Sequence, residues 1–281
     1  MAAEDYREPL ALACRLAAEA GAIILEHRAS ASVRRKADGS EVTDADLAAE
    51  RHILGAIQRQ YPDHALLAEE SGASSEAATS AAYCWVVDPL DGTQNYTRGF
   101  PCFATSIALL RDGLPVVGVI REHNTGITYA ATASGGPTVD GQPMKVGRRP
   151  LGRGFVVGAP SIKRDESPDA LQRLLERVNL RSTGSTALHL ALVASGALDA
   201  AFARRCHAWD IAAGTLLVRQ AGGQCTDLSG RPLWPMPADA DPTGRTPFLA
   251  AEPHAHAALL EILGDTRDSS PDQPGQWPPV G

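Results

Sequence analysis

Apolar positions in the first third of the chain follow a helical rhythm. Leu10, Cys14, Ala17, Gly21 and Ile24 keep the three-to-four spacing of one helix face over residues 8–28, and Pro9 is tolerable only in the first turn. The polar, basic stretch Arg34-Arg35-Lys36-Ala37-Asp38-Gly39-Ser40 breaks that rhythm, and its Asp-Gly pair suits a hairpin or loop. Thr43 then stands where an N-cap belongs, with Asp44 and Asp46 in a first turn that favours acidic groups. Leu47, Leu54 and Tyr61 repeat every seven residues beside Ile53 and Ile57, and Tyr61-Pro62 ends the helix. Residues 65–68 are a short apolar run, read as a strand leading into Glu69-Glu70-Ser71-Gly72, and the small polar residues of 72–82 read as a loop.

From Tyr83 the pattern turns to strands. Trp85-Val86-Val87 is a buried strand, and residues 103–110 and 115–120 form a hairpin around Arg111-Asp112-Gly113. Residues 128–132 and the turn Val139-Asp140-Gly141-Gln142 extend that sheet. After about residue 150 strands are expected at 155–157, 200–202 and 248–250, and helices at 168–178, 185–195, 210–221 and 254–263. Gly222-Gly223 and Gly264 supply C-terminal stops. The apolar stretch 186–203 holds His189, Ser195, Gly196 and Asp199, so it reads as a buried helix, not a membrane span. Helices alternating with strands give an α/β (α+β) class of layered sheets and helices. Two portions are expected, 1–150 and 151–264, followed by a polar, proline-bearing tail at 265–281 expected to be disordered. No internal repeat is visible.

Composition narrows the function classes. Of 281 residues 44% are apolar and 21% charged, the balance of a globular protein. The 26 Lys and Arg against 33 Asp and Glu leave a net charge of −7, which argues against nonspecific nucleic-acid or anionic-membrane binding. A phosphorylated substrate stays open, because a bound cation resets the local field. The five cysteines are odd in number and form no C-x-x-C pair, so free thiols in a reducing, cytoplasmic setting are expected. Glu4 and Asp5 stand where a secretory leader would be basic.

The chemistry concentrates in Trp85-Val86-Val87-Asp88-Pro89-Leu90-Asp91-Gly92-Thr93. A strand delivers Asp88, Pro89 bends the chain, and Asp91 can turn back beside it, leaving the Leu90 carbonyl free for a cation. Gly92 and Thr93 can offer N–H groups and a hydroxyl to an anion. These are hard oxygen ligands suited to Mg²⁺ or Mn²⁺ rather than zinc. The same string also suits a plain capped turn. Glu69 after a strand, Asp44 at a helix start and Asp210 at another are further places where a carboxylate projects from a regular element.

The ordered set of these segments resembles the inositol monophosphatase family, Mg²⁺-dependent, lithium-sensitive sugar-phosphate phosphatases. It stands here as Val42-Thr43-Asp44-Ala45-Asp46, Ala68-Glu69-Glu70-Ser71-Gly72, Val87 to Tyr96, Trp209-Asp210-Ile211-Ala212-Ala213-Gly214 and Ala221-Gly222-Gly223, over roughly residues 8–263. The resemblance implies a layered αβαβα sandwich and a homodimer. It implies metal ligation by Glu69, Asp88, the Leu90 carbonyl, Asp91 and Asp210 for two or three Mg²⁺ ions, with Mn²⁺ as a substitute. It also implies Asp44 and Thr93 as the pair that orients or deprotonates the attacking water, with Glu69 and Asp88 holding the ion that activates it. Gly92 and Thr93 are then expected to grip phosphate, and Gly184, Ser185, Thr186 and Ala203 to line the substrate pocket.

The implied activity is hydrolysis of a small phosphorylated metabolite, inositol 1-phosphate or a compound like it. Position 203 is Ala where inositol phosphatases of the family carry Glu, and Arg204 and Arg205 follow it. Residues 95–99 and 104–109 are similar to the histidinol-phosphate phosphatase branch. Histidinol phosphate and a nucleoside 3′(2′),5′-bisphosphate therefore stand as alternatives. A regulatory binding module on the same fold is the alternative outside catalysis. Lys36, His189 and His207 receive no role from the sequence, although a buried core position is expected for His189.

Overall fold

The computed structural model describes residues 5–28, 31–36, 39–73, 81–160, 168–235, 241 and 243–263, with backbone alone over 168–171. α1 (Arg7–His27) turns Leu12, Ala13, Leu16, Ala17, Ala20, Gly21 and Ile24 inward. That face is rotated from the expected one. Leu10 and Cys14 lie at its edge, because α1 packs against both α2 and a sheet. α2 (Asp44–Gln60) begins in a reciprocal capping box: the Thr43 N–H donates to Asp46 at 2.9 Å, and the Asp46 N–H to the Thr43 hydroxyl. Ala45, Ala49, Ile53 and Ile57 form its buried stripe, and Leu54 and Tyr61 run along the partly buried flank. The hairpin β1 (Val33–Arg35) and β2 (Glu41–Thr43) leads into it, with Arg35 opposite Glu41.

The larger sheet collects β3 (Ala65–Ala68), β4 (Gly72–Ala73), β5 (Tyr83–Asp91), β6 (Ala104–Arg111), β7 (Leu114–Glu122), β8 (Thr128–Thr132), β9 (Gly135–Val139) and β10 (Gln142–Pro143), with the short helix α3 (Thr93–Arg98) after β5. Its strand order is β10-β9-β8-β7-β6-β5-β3-β4, antiparallel except between β3 and β5. The β5–β6 ladder is regular to Asp88 opposite Ser106, then slips before Asp91 opposite Ala104. The slip is where Pro89 lacks an N–H for the ladder, and it re-aims the acidic residues on either side.

The smaller sheet is β12-β11-β13-β15-β14, built from β11 (Val156–Gly158), β12 (Asn179–Arg181), β13 (Ala200–Cys206), β14 (Gln224–Thr226) and β15 (Thr246–Ala251). Its helices are α4 (Pro168–Leu175), α5 (Thr186–Ala194), α6 (Ala208–Gln220) and α7 (Pro253–Leu263). α1 and α2 cover the outer face of the large sheet, α5 and α6 fill the space between the sheets, and α4 and α7 cover the outer face of the small one. The result is the αβαβα layering. The middle core joins Val86, Ala108 and Ile120 to Leu190, Leu217 and Phe248, drawing on both portions of the chain.

β13 and β15 run longer than expected and α4 is shorter, while α6 starts at Ala208 and so places Asp210 in its first turn. Five Cys are free thiols. Among the described residues no helix is long and apolar enough to cross a membrane. The expected tail at 265–281 and most of the loop at 72–82 lie outside the described residues.

The two layers nearest the site meet without clearance. A Cβ built on Gly118 of β7 would stand 2.8 Å from the Ala213 carbonyl oxygen of α6. Gly118→Ala is therefore expected to destabilise by roughly 1–3 kcal/mol, seen as a lower urea midpoint with an unchanged m value.

Candidate active site

The site forms where β3, the β5 bulge, α3 and the starts of α2, α5 and α6 converge. Gly92 enables the turn out of β5. Its φ is +96°, and a Cβ there would meet the Cys102 carbonyl oxygen at 2.8 Å. It is the N-cap of α3, so the first N–H groups of that helix lack intrahelical acceptors. Gly92, Thr93, Glu69 and Gly184 line a cleft of about 240 Å³. A second cleft of about 480 Å³ shares Asn95 and Gly184 with it and adds Arg98, Phe100 and Thr183.

Beneath this cleft four carboxylates share one field. Burial, followed by the charges of Glu69, Asp91 and Asp210, holds the Asp88 carboxyl well above the usual carboxylate range. Burial and then Asp91 do the same to Asp210. Asp91 is pushed up to about 6, chiefly by burial and against the hydrogen bonds it accepts. Each carboxylate has a protein donor. Asp88 Oδ1 accepts the Leu90 N–H at 3.0 Å. Asp91 Oδ2 accepts the Ser185 hydroxyl at 2.5 Å and the Ala187 N–H at 2.6 Å. Asp210 Oδ2 accepts the His207 N–H at 2.8 Å. Glu69 Oε1 lies 2.8 Å from the Lys36 ammonium, which also reaches Glu70 at 2.7 Å. Burial would lower the Lys36 pKa, but the two glutamates raise it above its ordinary value. Glu70 is pushed up to about 7 by burial and by Glu69.

Turned onto these donors, the carboxylates leave no group of three Asp, Glu, His or Cys side chains in a ready metal array among the described residues. The donor chemistry nevertheless fits a hard divalent cation. Glu69, Asp88, Asp91, Asp210 and the Leu90 carbonyl offer oxygen alone, and the mutual repulsion recorded in the raised carboxyls is what such a cation relieves.

The expected pairing of Asp44 with Thr93 is corrected by the structure. The Thr93 hydroxyl lies 3.1 Å from Asp46 Oδ1 and 3.1 Å from the Leu90 carbonyl oxygen. Asp44 points elsewhere and accepts the Ser32 N–H at 3.1 Å. Residues two apart on a helix do not share a face, so one of the pair alone can look into the site. The capping box selects Asp46, and the Thr43–Asp46 spacing was the signal in the sequence. Asp46 is pushed up to about 6 by burial, partly offset by its bonds from Thr43.

Two pocket expectations also change. Ser185 is buried, and its hydroxyl is committed to Asp91 and to capping α5. Ala203 is buried opposite Phe248 in the β13–β15 ladder and lines neither cleft, because that strand is covered on both faces. Thr186 opens α5 behind Asp91. His189 is a satisfied core residue: Nε2 takes the Thr183 N–H at 3.2 Å, and burial lowers its pKa to about 4. His207 stacks on Trp209 with ring centroids 4.5 Å apart. Glu50 escaped sequence reading altogether. It is buried and accepts the Glu70 N–H at 2.8 Å, which fixes the turn that carries Glu69.

Comparison with known proteins adds four findings. The model of the inositol monophosphatase family matches residues 5–265. A probable inositol 1-monophosphatase ImpA of Mycobacterium tuberculosis is 36% identical over 250 residues, 86% of this chain and 88% of that protein. The Nus factor SuhB of Pseudomonas aeruginosa is 35% identical over 232 residues, 79% of this chain and 86% of its own. Among solved structures, the inositol monophosphatase of Anabaena superposes with a TM-score of 0.78 at 34% identity, covering 92% of this chain and 96% of that one.

Proposed function

From a chain that belongs to the inositol monophosphatase family, we propose a Mg²⁺-dependent phosphomonoesterase that hydrolyses a small phosphorylated metabolite. The observation that carries the proposal is the cluster of Glu69, Asp88, Asp91 and Asp210 under a cleft floored by Gly92 and Thr93. Those four residues and the Leu90 carbonyl would hold two or three Mg²⁺ ions, with Mn²⁺ as a substitute. When bound, the ions supply Lewis acidity and cancel the repulsion between a phosphate dianion and an incoming nucleophile.

The chain's own residues do the rest. The start of α3 presents N–H groups of Gly92 and Thr93 to the phosphate oxygens. The Thr93 hydroxyl has one proton and two acceptors within 3.1 Å. Once the Leu90 carbonyl is engaged, that proton turns to Asp46. The Thr93 oxygen is then free to accept from an attacking water, whose proton passes through Thr93 to Asp46. Ser185 and the start of α5 hold Asp91 in place as the ester bond breaks. No covalent enzyme intermediate is involved, so the five free thiols need no catalytic role. We also infer a cytoplasmic, lithium-sensitive homodimer.

A second reading comes from the relative named as a Nus factor: the fold would serve as a regulatory binding partner. A purely regulatory chain has no need of four mutually repelling carboxylates, and their presence favours the enzyme. The test is phosphate release with Mg²⁺ from inositol 1-phosphate, histidinol phosphate and a nucleoside 3′,5′-bisphosphate. Turnover of at least one is expected. Release from none of them, nor from a wider panel of phosphomonoesters, favours the regulatory reading.

A further inference from the structure

The bulge that carries Asp88 is held from behind by two residues with no part in the mechanism above. Thr105 occupies the β6 position left without a partner on β5 where that strand slips. Its hydroxyl donates to the Pro89 carbonyl oxygen at 2.7 Å. His123, buried just after β7, places Nε2 2.9 Å from the same hydroxyl oxygen. The hydroxyl has a single proton and has given it to Pro89, so Nε2 must be the donor: His123 is the neutral tautomer protonated on Nε2. Burial, then the charge of Arg121, lowers its pKa to about 4, in keeping with a neutral ring. Its Nδ1 is buried with no partner among the described residues, and Gly21 of α1 presses so close that a Cβ there would sit 2.5 Å from it. Apolar side chains of the same shape would fill this space without leaving a nitrogen unmatched.

The other side of the same peptide points at the site. The Leu90 N–H donates to Asp88 Oδ1 at 3.0 Å. A peptide group is planar, so fixing its C=O fixes its N–H. The dipoles therefore line up in one direction, from the His123 N–H through the Thr105 hydroxyl and the Pro89–Leu90 peptide to the Asp88 carboxylate, and each bond polarises the next.

We propose that His123 and Thr105 are positioning residues that set the rotation of the Asp88 carboxylate through the Pro89–Leu90 peptide plane, and with it the divalent-cation affinity of the site. The proposal rests on reading Asp88 as a metal ligand. It is tested by calorimetric titration of Mg²⁺ into the metal-stripped full chain. Thr105→Val and His123→Phe each break the chain of hydrogen bonds, Thr105→Ser keeps it, and Leu259→Ala on α7 is a remote core truncation. The expected result is a Mg²⁺ dissociation constant raised about 10-fold by each chain-breaking variant. Thr105→Ser should stay near wild type, and Leu259→Ala should lower Tm without moving the constant. Wild-type affinity in both Thr105→Val and His123→Phe overturns the positioning role, whatever their Tm. A wild type that binds no Mg²⁺ overturns the reading of the site itself.

Discussion

Asp91→Asn and Asp210→Asn are expected each to lose more than about 100-fold in kcat at saturating Mg²⁺, since removing even an outer partner of a metal site costs about 10–100-fold. Both should fold. An Asn Oδ1 at position 91 can still accept from Ser185 and Ala187, and one at 210 can still accept the His207 N–H. The metal-free variants should melt higher than wild type, because a neutral amide replaces an acid held above its normal range by burial and its neighbours. The sign follows from linkage. A carboxyl raised from 3.8 to about 6 binds more protons folded than unfolded in between, so the metal-free wild type loses stability as pH rises from about 4 to beyond 6. Mg²⁺ should therefore raise Tm more at pH 7.5 than at pH 5, and less in either Asn variant. Near-wild-type turnover in both variants would remove the carboxylate cluster from the mechanism.

Asp46→Asn should cost about 100-fold or more in kcat, the usual scale of a lost general base, while Asp44→Asn should stay within about threefold of wild type. The Asn keeps a single acceptor oxygen: turned toward Thr43 it preserves the cap, its NH₂ then faces Thr93, and neither atom can take a proton. Its effect should therefore fall on kcat rather than on KM, with any cap loss, no more than roughly 0.5–2 kcal/mol in stability, scored separately by Tm. Steady-state kinetics of the two variants decide the matter. A larger loss in Asp44→Asn would restore the pairing suggested by the motif order and contradict the 3.1 Å contact between Thr93 and Asp46.

Much of this site was legible because it rests on local grammar. Val87-Asp88-Pro89-Leu90-Asp91-Gly92-Thr93 is a strand, a bulge and a helix start, and each residue has a local reason to be there. The alternation of apolar periods gave the class of layered sheets and helices, and the resemblance of the motifs gave the order of the five layers. What escaped depended on distance through space. Ser185 meets Asp91 across 94 positions of sequence, so its hydroxyl looked free for a substrate. Lys36 reaches Glu69 and Glu70 from the end of a hairpin whose geometry a basic stretch does not reveal. Ala203 was misplaced because a seven-residue offset from Asp210 says nothing of which face β13 turns outward. Short strands such as β12 and β14 have three residues each, too few for a period to show. Asp46 could have been found, since its capping box lies within four residues.

Phosphate release should depend on a divalent cation held by the four-carboxylate cluster. Phosphate release from a turned-over monoester, measured after EDTA stripping and then across a Mg²⁺ titration, tests it most directly. Activity is expected to be lost with EDTA and restored by Mg²⁺ or Mn²⁺ but not by Ca²⁺, whose larger, looser coordination would not align the reacting groups. Full activity in excess EDTA would contradict it.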